Sequence, residues 1–381
     1  MKILYVCSNI SIAGNGICTS ARNISVALRE AGQDVRFLAA GDGNPANVQP
    51  DFRLEKFEFP VFQFIMDANG FCFASRDKKV MSEAIAWADI IHIEEPFPLS
   101  KTAIDIAEAM GKPIVGTFHL YTQNILSEIP LASSRLTNKI YMKLWKRKYF
   151  DHLSHIQCPS EAVKALLERY EFKARLHVIS NGINIPEERV VAKPSTTPPY
   201  RIIMIGRLAR IKNQGELLDA MHYSRHAKEI QLQFAGNGVR KKWLKARAEL
   251  LYSTGILSFP PEFLFTDKEG LKKLAGESYL CVHAAAMEVE GLGCIEALRE
   301  GTVPMIAQGE LIATSAFAMD ERSLFPSGDA KTLARKIDWW IEHPEERDRM
   351  AQAYADKARD YDIRKSAAAL IEMYKAAIEG R

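Results

Sequence analysis

The chain contains two series in which a short apolar stretch, a loop and an amphipathic stretch follow one another. In the first, apolar residues 2–7 are followed by a loop, by a helical pattern over residues 21–31 that ends at Gly32, and by a second apolar stretch over residues 35–39. The second series begins at Tyr200 with the stretch YRIIMI and continues with a loop and a helical pattern. Short buried strands that alternate with helices predict parallel sheets with helices on both faces. The predicted fold class is therefore α/β, with a doubly wound sheet in each half.

A proline-rich segment separates the two series. Residues 186–199 read PEERVVAKPSTTPP and contain four prolines, a composition typical of a linker. At ~100–200 residues per domain, a chain of 381 residues corresponds to two domains. We therefore expect a first domain over residues 1–185, a second domain over residues 200–360, and a final segment over residues 361–381.

The composition limits the class of protein. Hydrophobic residues make up 47% of the chain and charged residues 25%, as in ordinary soluble globular proteins. No run of eighteen apolar residues occurs and Met1 leads directly into the first apolar stretch, so we expect a cytoplasmic protein without a spanning helix or signal peptide. The net charge of +3 is too small for a general nucleic-acid-binding protein. The six cysteines form no C-x-x-C pair, which argues against a zinc site or a disulfide framework.

Two carboxylates in the second half stand eight residues apart, in the sequence EVEGLGCIE. Glu288 precedes a Gly-Leu-Gly turn at residues 291–293, and Glu296 lies in the helical pattern that follows. A helix that begins at this turn presents unpaired N–H groups and a partial positive charge, which favour a bound anion. Each carboxylate can accept hydrogen bonds from a vicinal diol, one on a sugar ring and one on a ribose. The alternative is that both acids are solvated helix charges, with Glu296 paired to Arg299.

Two cations follow the first strand of the second half. The stretch IIMI leads into Gly206, Arg207 and Lys212, and the next strand-like stretch ends at Gly236. A guanidinium binds a diphosphate through a fork of two hydrogen bonds, whereas an ammonium acts as a point charge. The pattern therefore favours a diphosphate at this strand end, and surface salt bridges are the alternative.

The loop after the first strand contains closely spaced glycines, in the order Gly14-Asn15-Gly16. Its backbone N–H groups can approach a phosphate or a sugar before the helix begins. A dinucleotide-binding loop requires a third glycine and an acid at the end of the second strand, but Thr19 and Ala39 stand there. We therefore do not expect NAD.

His119 ends the strand-like stretch IVGTFH in the first half. The carboxyl ends of parallel strands form the edge where ligands bind, so this position favours a functional role. The alternative is a structural histidine.

A strongly basic segment, RLTNKIYMKLWKRK, occupies residues 135–148. At 100° per residue, five cations of this segment fall within an arc of about 120°, and apolar and aromatic side chains fill the rest. A basic arc beside interfacial aromatic residues is typical of a helix that lies on an anionic membrane, and the alternative is a solvated face over an ordinary core contact. The predicted membrane-binding residues are Arg135, Lys139, Lys143, Trp145, Lys146 and Arg147.

These motifs resemble those of retaining glycosyltransferases of family 4. The segment EVEGLGCIE is similar to the family's E-x7-E motif, and GRLARIKN is similar to its G-R-L-x-x-x-K-[GN] motif. The string NGICTS resembles the NGV-x-x-S loop, and the passage EEPFPLS to IVGTFH resembles the segment from H-x-H-x-P-F-P to V-x-T-Y-H. These last two are found in the lipid-glycosylating branch, which includes diacylglycerol glucosyltransferases and sulfoquinovosyldiacylglycerol synthases.

The resemblance implies the GT-B fold, with two facing Rossmann-like domains, a cleft between them, and a C-terminal helix that packs back toward the first domain. It implies that Glu288 holds donor-sugar hydroxyls and that Glu296 holds the ribose. Arg207 and Lys212 would stabilise the diphosphate leaving group, and His119 would lie beside the donor sugar. No metal and no other cofactor would be required. The remaining donor-binding residues would be Gly14, Asn15, Gly16, Gly206, Gly236, Gly291, Leu292 and Gly293.

The expected reaction moves a hexose from a nucleotide sugar, most simply glucose from UDP-glucose, to a membrane lipid such as diacylglycerol, with retention of the α configuration. The enzyme would act as a peripheral protein on the inner face of the cell membrane. A transferase for a polysaccharide or soluble acceptor and a nucleotide-sugar epimerase are the alternatives. The sequence departs from the family at two points: Glu290 stands where many members have Phe, and Glu94 or Glu95 stands where the family has an earlier His.

Overall fold

The computed structural model divides the chain into two compact units, residues 1–182 with 363–381, and residues 183–362. Among the described residues no helix is long and apolar enough to span a membrane. The structure describes residues 1–11, 15–41, 48–57, 73–126, 134–187, 191 and 193–380.

The first unit is built on a parallel sheet. Its described strands are arranged in the order β3-β2-β1-β6-β7-β8-β9, so the order reverses between β1 and β6. This is the strand order of a doubly wound sheet, and ligands bind at the carboxyl ends of the strands on either side of such a reversal. A short antiparallel pair, β4 and β5, lies apart from the sheet. The strands are β1 (Lys2–Asn9), β2 (Asp34–Ala40), β3 (Phe52–Leu54), β4 (Lys56–Phe57), β5 (Phe73–Ala74), β6 (Ile90–Ile93), β7 (Ile114–Thr117), β8 (His155–Cys158) and β9 (Arg175–Val178).

Helices connect these strands. The first begins earlier than the hydrophobic pattern predicts, at Gly16 and not at Ala21, because the Asn15 side chain caps it by accepting from the N–H groups of Ile17 and Cys18 at 3.0 and 3.3 Å. The described helices are α1 (Gly16–Glu30), α2 (Lys78–Trp87), α3 (Pro98–Ala109), α4 (Thr122–Leu126), α5 (Arg135–Lys148) and α6 (Glu161–Arg169).

The second unit repeats the plan. Its parallel sheet has the order β12-β11-β10-β13-β14-β15, which reverses between β10 and β13. The strands are β10 (Tyr200–Ile205), β11 (Ile230–Ala235), β12 (Glu262–Leu264), β13 (Leu280–His283), β14 (Val303–Gln308) and β15 (Leu324–Pro326). The helices are α7 (Gln214–Ala220), α8 (Lys241–Ser253), α9 (Lys268–Glu277), α10 (Leu292–Arg299), α11 (Ala330–Glu342) and α12 (Pro344–Lys357).

Both ends of the proline-rich region join the second unit. Ile183 and Ile185, which the sequence assigns to the first domain, are buried in the apolar core of the second unit. Val191, from the segment interpreted as a linker, also packs against that core. The boundary between the units therefore lies at residue 182.

The last helix, α13 (Ile363–Ile378), belongs to the first unit. It packs against α1, and Leu370 and Tyr374 lie in the same apolar cluster as Tyr5 of β1. The hydroxyls of Tyr374 and Tyr5 are 2.8 Å apart, so a polar contact joins the C-terminal helix to the centre of the sheet.

Candidate functional site

The loops after β10 and β11 in the second unit are held very close to each other. Gly206 and Gly236 both adopt positive φ angles, of 137° and 157°. A Cβ atom on Gly236 would lie 2.0 Å from the carbonyl oxygen of Gly206, which is impossible. The Gly206 N–H donates to the Ala235 carbonyl at 3.0 Å. Only glycine allows this approach of two backbones, and the approach sets the direction in which the chain enters the Arg207 loop.

Lys212 and Glu288 form an ion pair across the order reversal of the second sheet. Lys212 follows β10 and Glu288 follows β13, and the Lys212 Nζ donates to Glu288 Oε2. The side chains are 23% and 12% exposed, so water screens the pair only in part. The Glu288 backbone is fixed as well, because its N–H donates to the Leu311 carbonyl at 2.7 Å and its carbonyl accepts from Ala313 at 2.9 Å.

His283, at the end of β13, is a site residue that the sequence analysis did not identify. Its Nε2 lies 3.5 Å from the same Glu288 Oε2 that Lys212 contacts. The imidazole is 7% exposed, and Nε2 has no hydrogen-bond partner among the described residues. Its position at the carboxyl end of a strand could have identified it, because the same argument was applied to His119.

Charge neighbours keep Glu288 ionised. Burial raises the pKa of the Glu288 carboxyl, but the Lys212 ammonium and the His283 imidazole outweigh burial and lower it to about 2. Glu288 is therefore an anion at neutral pH, an acceptor for hydroxyl groups. Two neighbours converge on Oε2, which leaves Oε1 as the oxygen available to a ligand.

The turn that follows Glu288 leads into α10. Gly291 has a φ of 89°, and a Cβ atom on it would lie 2.3 Å from Cγ2 of Thr314. A Cβ atom on Gly293 would lie 3.0 Å from Cγ2 of Ile205, so both glycines allow close packing. Gly291 offers no side chain to cap the helix, and the described residues accept no hydrogen bond from the N–H groups of Leu292 and Gly293. These N–H groups and the helix dipole suit an anionic ligand.

Glu296 lies one turn into α10 and is partly buried. Burial raises its pKa despite the attraction of Arg299 and Lys268. Arg299, which the alternative interpretation pairs with Glu296, attracts that carboxylate but contacts Glu300 Oε1 through its Nε at 2.5 Å. Arg207 lies in the loop after β10, where its carbonyl accepts from the Gln214 side chain at 2.9 Å.

In the first unit, His119 follows β7 and contacts a buried carboxylate. Its Nε2 lies 2.6 Å from Oε2 of Glu94, which follows the neighbouring strand β6. Both side chains are nearly inaccessible, at 5% and 2% exposure. Glu94 is one of the two residues that stand where the related family has a histidine, and its pairing with His119 was not predicted from the sequence.

The loop before α1 is described only in part. Gly14 lies outside the described residues. The Asn15 side-chain oxygen caps α1, and Gly16 is the first residue of that helix. A Cβ atom on Gly16 would meet none of the described residues within 4 Å, so packing against them does not explain this glycine.

The basic segment forms helix α5, with a different orientation from the predicted one. Lys139, Lys143 and Arg147 are exposed. Contrary to the prediction, Trp145 is 9% exposed and faces the protein. The Lys146 side chain is 19% exposed, and its Nζ lies 3.2 Å from Asp151. The indole carries more apolar area than any other side chain of the helix, so burying it is most favourable.

An apolar ridge lies beside the exposed cations of α5. Leu136, Ile140 and Leu144 are 68%, 50% and 55% exposed. With the three cations, these residues span an arc of about 140° on the side opposite Met142 and Trp145. The exposed face of α5 therefore combines large apolar and basic side chains in adjacent rows.

Comparison with known proteins agrees with this geometry. Residues 14–187 match the model "Glycosyltransferase Family 4", and residues 186–357 match "Glycosyl transferases group 1". The alpha-monoglucosyldiacylglycerol synthase of Streptococcus pneumoniae is 25% identical over 77% of this chain and 68% of its own. The phosphatidyl-myo-inositol mannosyltransferase of Mycobacterium leprae is also 25% identical, over 98% of this chain and 96% of its own.

A solved structure supports the fold. The HepE protein of Anabaena, in complex with UDP-glucose, superposes with a TM-score of 0.73 at 17% identity over 99% of this chain and 100% of that one. The two family models together cover most of the chain, and they meet at residues 186–187, close to the boundary between the two parallel-sheet units. The chain is therefore a nucleotide-sugar-dependent transferase with the GT-B fold, and it belongs to glycosyltransferase family 4.

Proposed function

We propose that this protein transfers glucose from UDP-glucose to a membrane lipid such as diacylglycerol, with retention of the α configuration, at the cytoplasmic face of the cell membrane. The observation that carries the donor part is the partly buried Lys212–Glu288 pair beside the open N-terminus of α10. It offers an anion for sugar hydroxyls, a cation for the diphosphate and free backbone N–H groups within one loop system.

The proposed reaction is a displacement on one face of the sugar. The acceptor hydroxyl oxygen forms a bond to the anomeric carbon while the bond from that carbon to the diphosphate oxygen breaks. The acceptor proton goes to the leaving phosphate oxygen. Arg207 and Lys212 stabilise the negative charge that develops on the diphosphate, and Glu288 holds the sugar hydroxyls through Oε1.

The exposed face of α5 supports a lipid acceptor. A lipid remains in the bilayer, so the enzyme must dock on the membrane to reach its headgroup. Each basic residue near an anionic surface contributes ~1 kcal/mol, so Lys139, Lys143 and Arg147 together supply ~3 kcal/mol. The adjacent ridge of Leu136, Ile140 and Leu144 adds apolar surface that enters the headgroup region. The names of the two relatives, which refer to diacylglycerol and phosphatidyl-myo-inositol, agree with a lipid acceptor.

A charge-reversal experiment tests the membrane part. The variant Lys139→Glu/Lys143→Glu/Arg147→Glu should lose binding to phosphatidylglycerol vesicles in a sedimentation assay and slow glucosylation of diacylglycerol in those vesicles. Donor hydrolysis in solution should be unchanged. The matched control, Lys241→Glu/Lys242→Glu/Lys245→Glu, changes the net charge equally on helix α8 and should still bind.

Salt provides a second measurement. Binding of the parent protein should weaken between low salt and 1 M, where the Debye length falls to ~3 Å. If the α5 variant sediments with the vesicles as the parent does, the helix is an ordinary solvated face and the lipid acceptor loses this support. If transfer occurs only to a soluble glycan in an acceptor screen, the acceptor is a polysaccharide.

A further inference from the structure

The buried contact between Glu94 and His119 is the end of a longer polar chain inside the first unit. His92 of β6 is fully buried, and its Nε2 lies 3.4 Å from Glu94 Oε1 and 2.8 Å from Thr117 Oγ1. Its Nδ1 lies 2.8 Å from the hydroxyl of Tyr374 on α13. This network of polar contacts thus runs from the C-terminal helix to the carboxyl ends of β6 and β7.

The direction of each hydrogen bond in this network follows from Gln157, which contacts Thr117. Gln157 Nε2 donates to the Ile179 carbonyl at 3.0 Å, which leaves Gln157 Oε1 as an acceptor. Thr117 Oγ1 donates its only proton to that oxygen at 2.7 Å. The threonine oxygen must therefore accept from His92, so the proton of His92 is on Nε2. His92 Nδ1 then accepts from Tyr374.

These hydrogen-bond directions determine which histidine hydrogens lie next to the Glu94 carboxylate. The pKa of His92 is lowered to about 4 because burial disfavours the imidazolium, so His92 is neutral. Its one hydrogen is donated to Thr117 from Nε2, and Glu94 Oε1 lies 3.4 Å from the same nitrogen. Burial raises the pKa of Glu94, but His119 and His92 outweigh burial and lower it. Glu94 is a carboxylate without a proton to donate, so His119 Nε2 must carry the hydrogen of the 2.6 Å contact.

From this geometry we infer that Glu94 is a positioning residue that fixes His119 in the tautomer with hydrogen on Nε2, leaving Nδ1 to accept a hydroxyl hydrogen of the nucleotide sugar. The described residues make no hydrogen bond to His119 Nδ1. The inference rests on the proposed function for the identity of the ligand, but the tautomer is a property of the protein alone. A carboxylate that orients an imidazole in this way has a precedent in serine proteases, where replacing it by an amide costs ~10⁴ in kcat through the wrong tautomer.

The matched pair of variants is Glu94→Gln and Glu95→Gln. Both replace a buried carboxyl group in the same loop, but Glu95 accepts from the Ser8 N–H, and among the described residues it makes no hydrogen bond to His119. An amide at residue 94 can donate to the imidazole, so the tautomer is no longer fixed. We expect Glu94→Gln to lower kcat by on the order of 10²-fold or more, with the KM for UDP-glucose within about twofold. Glu95→Gln should stay within about threefold in both.

Nitrogen-15 spectra of the imidazoles give a readout that does not depend on activity. The chain has nine histidines, and loss of signals in His119→Gln assigns the His119 pair. At pH 8 the parent should show hydrogen on Nε2 and none on Nδ1. Glu94→Gln should shift the two signals toward a mixture of tautomers, and Glu94→Asp, which keeps the charge, should recover at least tenfold in kcat over Glu94→Gln.

The outcomes separate two failures. A parent His119 with hydrogen on Nδ1 overturns the inference even if Glu94→Gln does not fold, and so does an equal loss of kcat in Glu94→Gln and Glu95→Gln. If the parent shows the expected tautomer but transfers no sugar from UDP-glucose, the proposed donor is wrong and the positioning role of Glu94 stands.

Discussion

Gly291 offers a direct test of how the second unit shapes its ligand loop. The substitution Gly291→Ala places a Cβ atom 2.3 Å from Cγ2 of Thr314, a residue with no exposed surface. It also places alanine at a φ of 89°. The backbone strain costs ~1–2 kcal/mol and the overpacking a further ~1–3 kcal/mol, so we expect a loss of ~2–5 kcal/mol in the free energy of unfolding.

The second substitution, Thr314→Ser, removes only the methyl group that causes the clash. The double variant should therefore recover ~1–3 kcal/mol over Gly291→Ala, which appears as a coupling energy in a double-mutant cycle. Gly255 provides the matched control, because its φ is 74° and a Cβ atom there would meet nothing within 4 Å. Gly255→Ala should cost only the ~1–2 kcal/mol of backbone strain.

Equilibrium unfolding in urea measures these stabilities, and calorimetry with UDP measures the effect on the loop. Because the turn sets the start of α10, Gly291→Ala should also weaken the binding of UDP. Adding Thr314→Ser should partly restore that binding. If Gly291→Ala costs no more than Gly255→Ala, or if Thr314→Ser recovers nothing, the turn is not packed as described.

Three further predictions concern the donor site. Arg207→Ala should lower turnover by on the order of 10²–10³ while the thermal unfolding temperature stays the same, and a turnover within twofold of the parent would exclude a role in stabilising the leaving group. Glu296→Gln should weaken UDP binding, measured by calorimetry, by ~1–3 kcal/mol. Glu288→Gln should leave UDP binding nearly unchanged and impair sugar transfer. Equal losses in UDP binding would show that the two carboxylates do not divide the ribose and the sugar between them. Overnight treatment with EDTA should not change transfer, and recovery of a lost activity by Mg²⁺ or Mn²⁺ would show that a metal takes part.

The sequence predicted the two sheets better than the side-chain contacts that form at the edge of each sheet. Alternating apolar and amphipathic stretches were sufficient to predict two doubly wound units, because each strand and helix of that plan leaves a local pattern. The partner of Lys212 was not predictable in this way. Glu288 lies 76 residues further along the chain, and the two meet only because β13 pairs with β10 where the strand order reverses.

Helix α5 shows a different limit. Its basic arc was found from the 100° period, and three of its cations are exposed as expected. The helix has two apolar strips, one with Ile140 and Leu144 and one with Met142 and Trp145, and both satisfy the same period. Which strip faces the protein depends on the area that each buries and on the neighbouring surface, and the segment's own pattern contains neither.

Each unit holds an ionised carboxylate next to basic side chains at the carboxyl edge of its sheet. In the second unit, Glu288 Oε2 accepts from Lys212 and lies 3.5 Å from His283. In the first unit, Glu94 Oε2 accepts from His119 and Oε1 lies 3.4 Å from His92. An isolated carboxylate this deeply buried would take up a proton, whereas a paired one stays ionised and keeps its orientation. Each pair therefore holds a polar atom in place before any ligand binds, Oε1 of Glu288 and Nδ1 of His119. A preorganised atom of this kind needs no reorientation during the reaction, so we expect both carboxylates to matter more for kcat than for the strength of nucleotide binding.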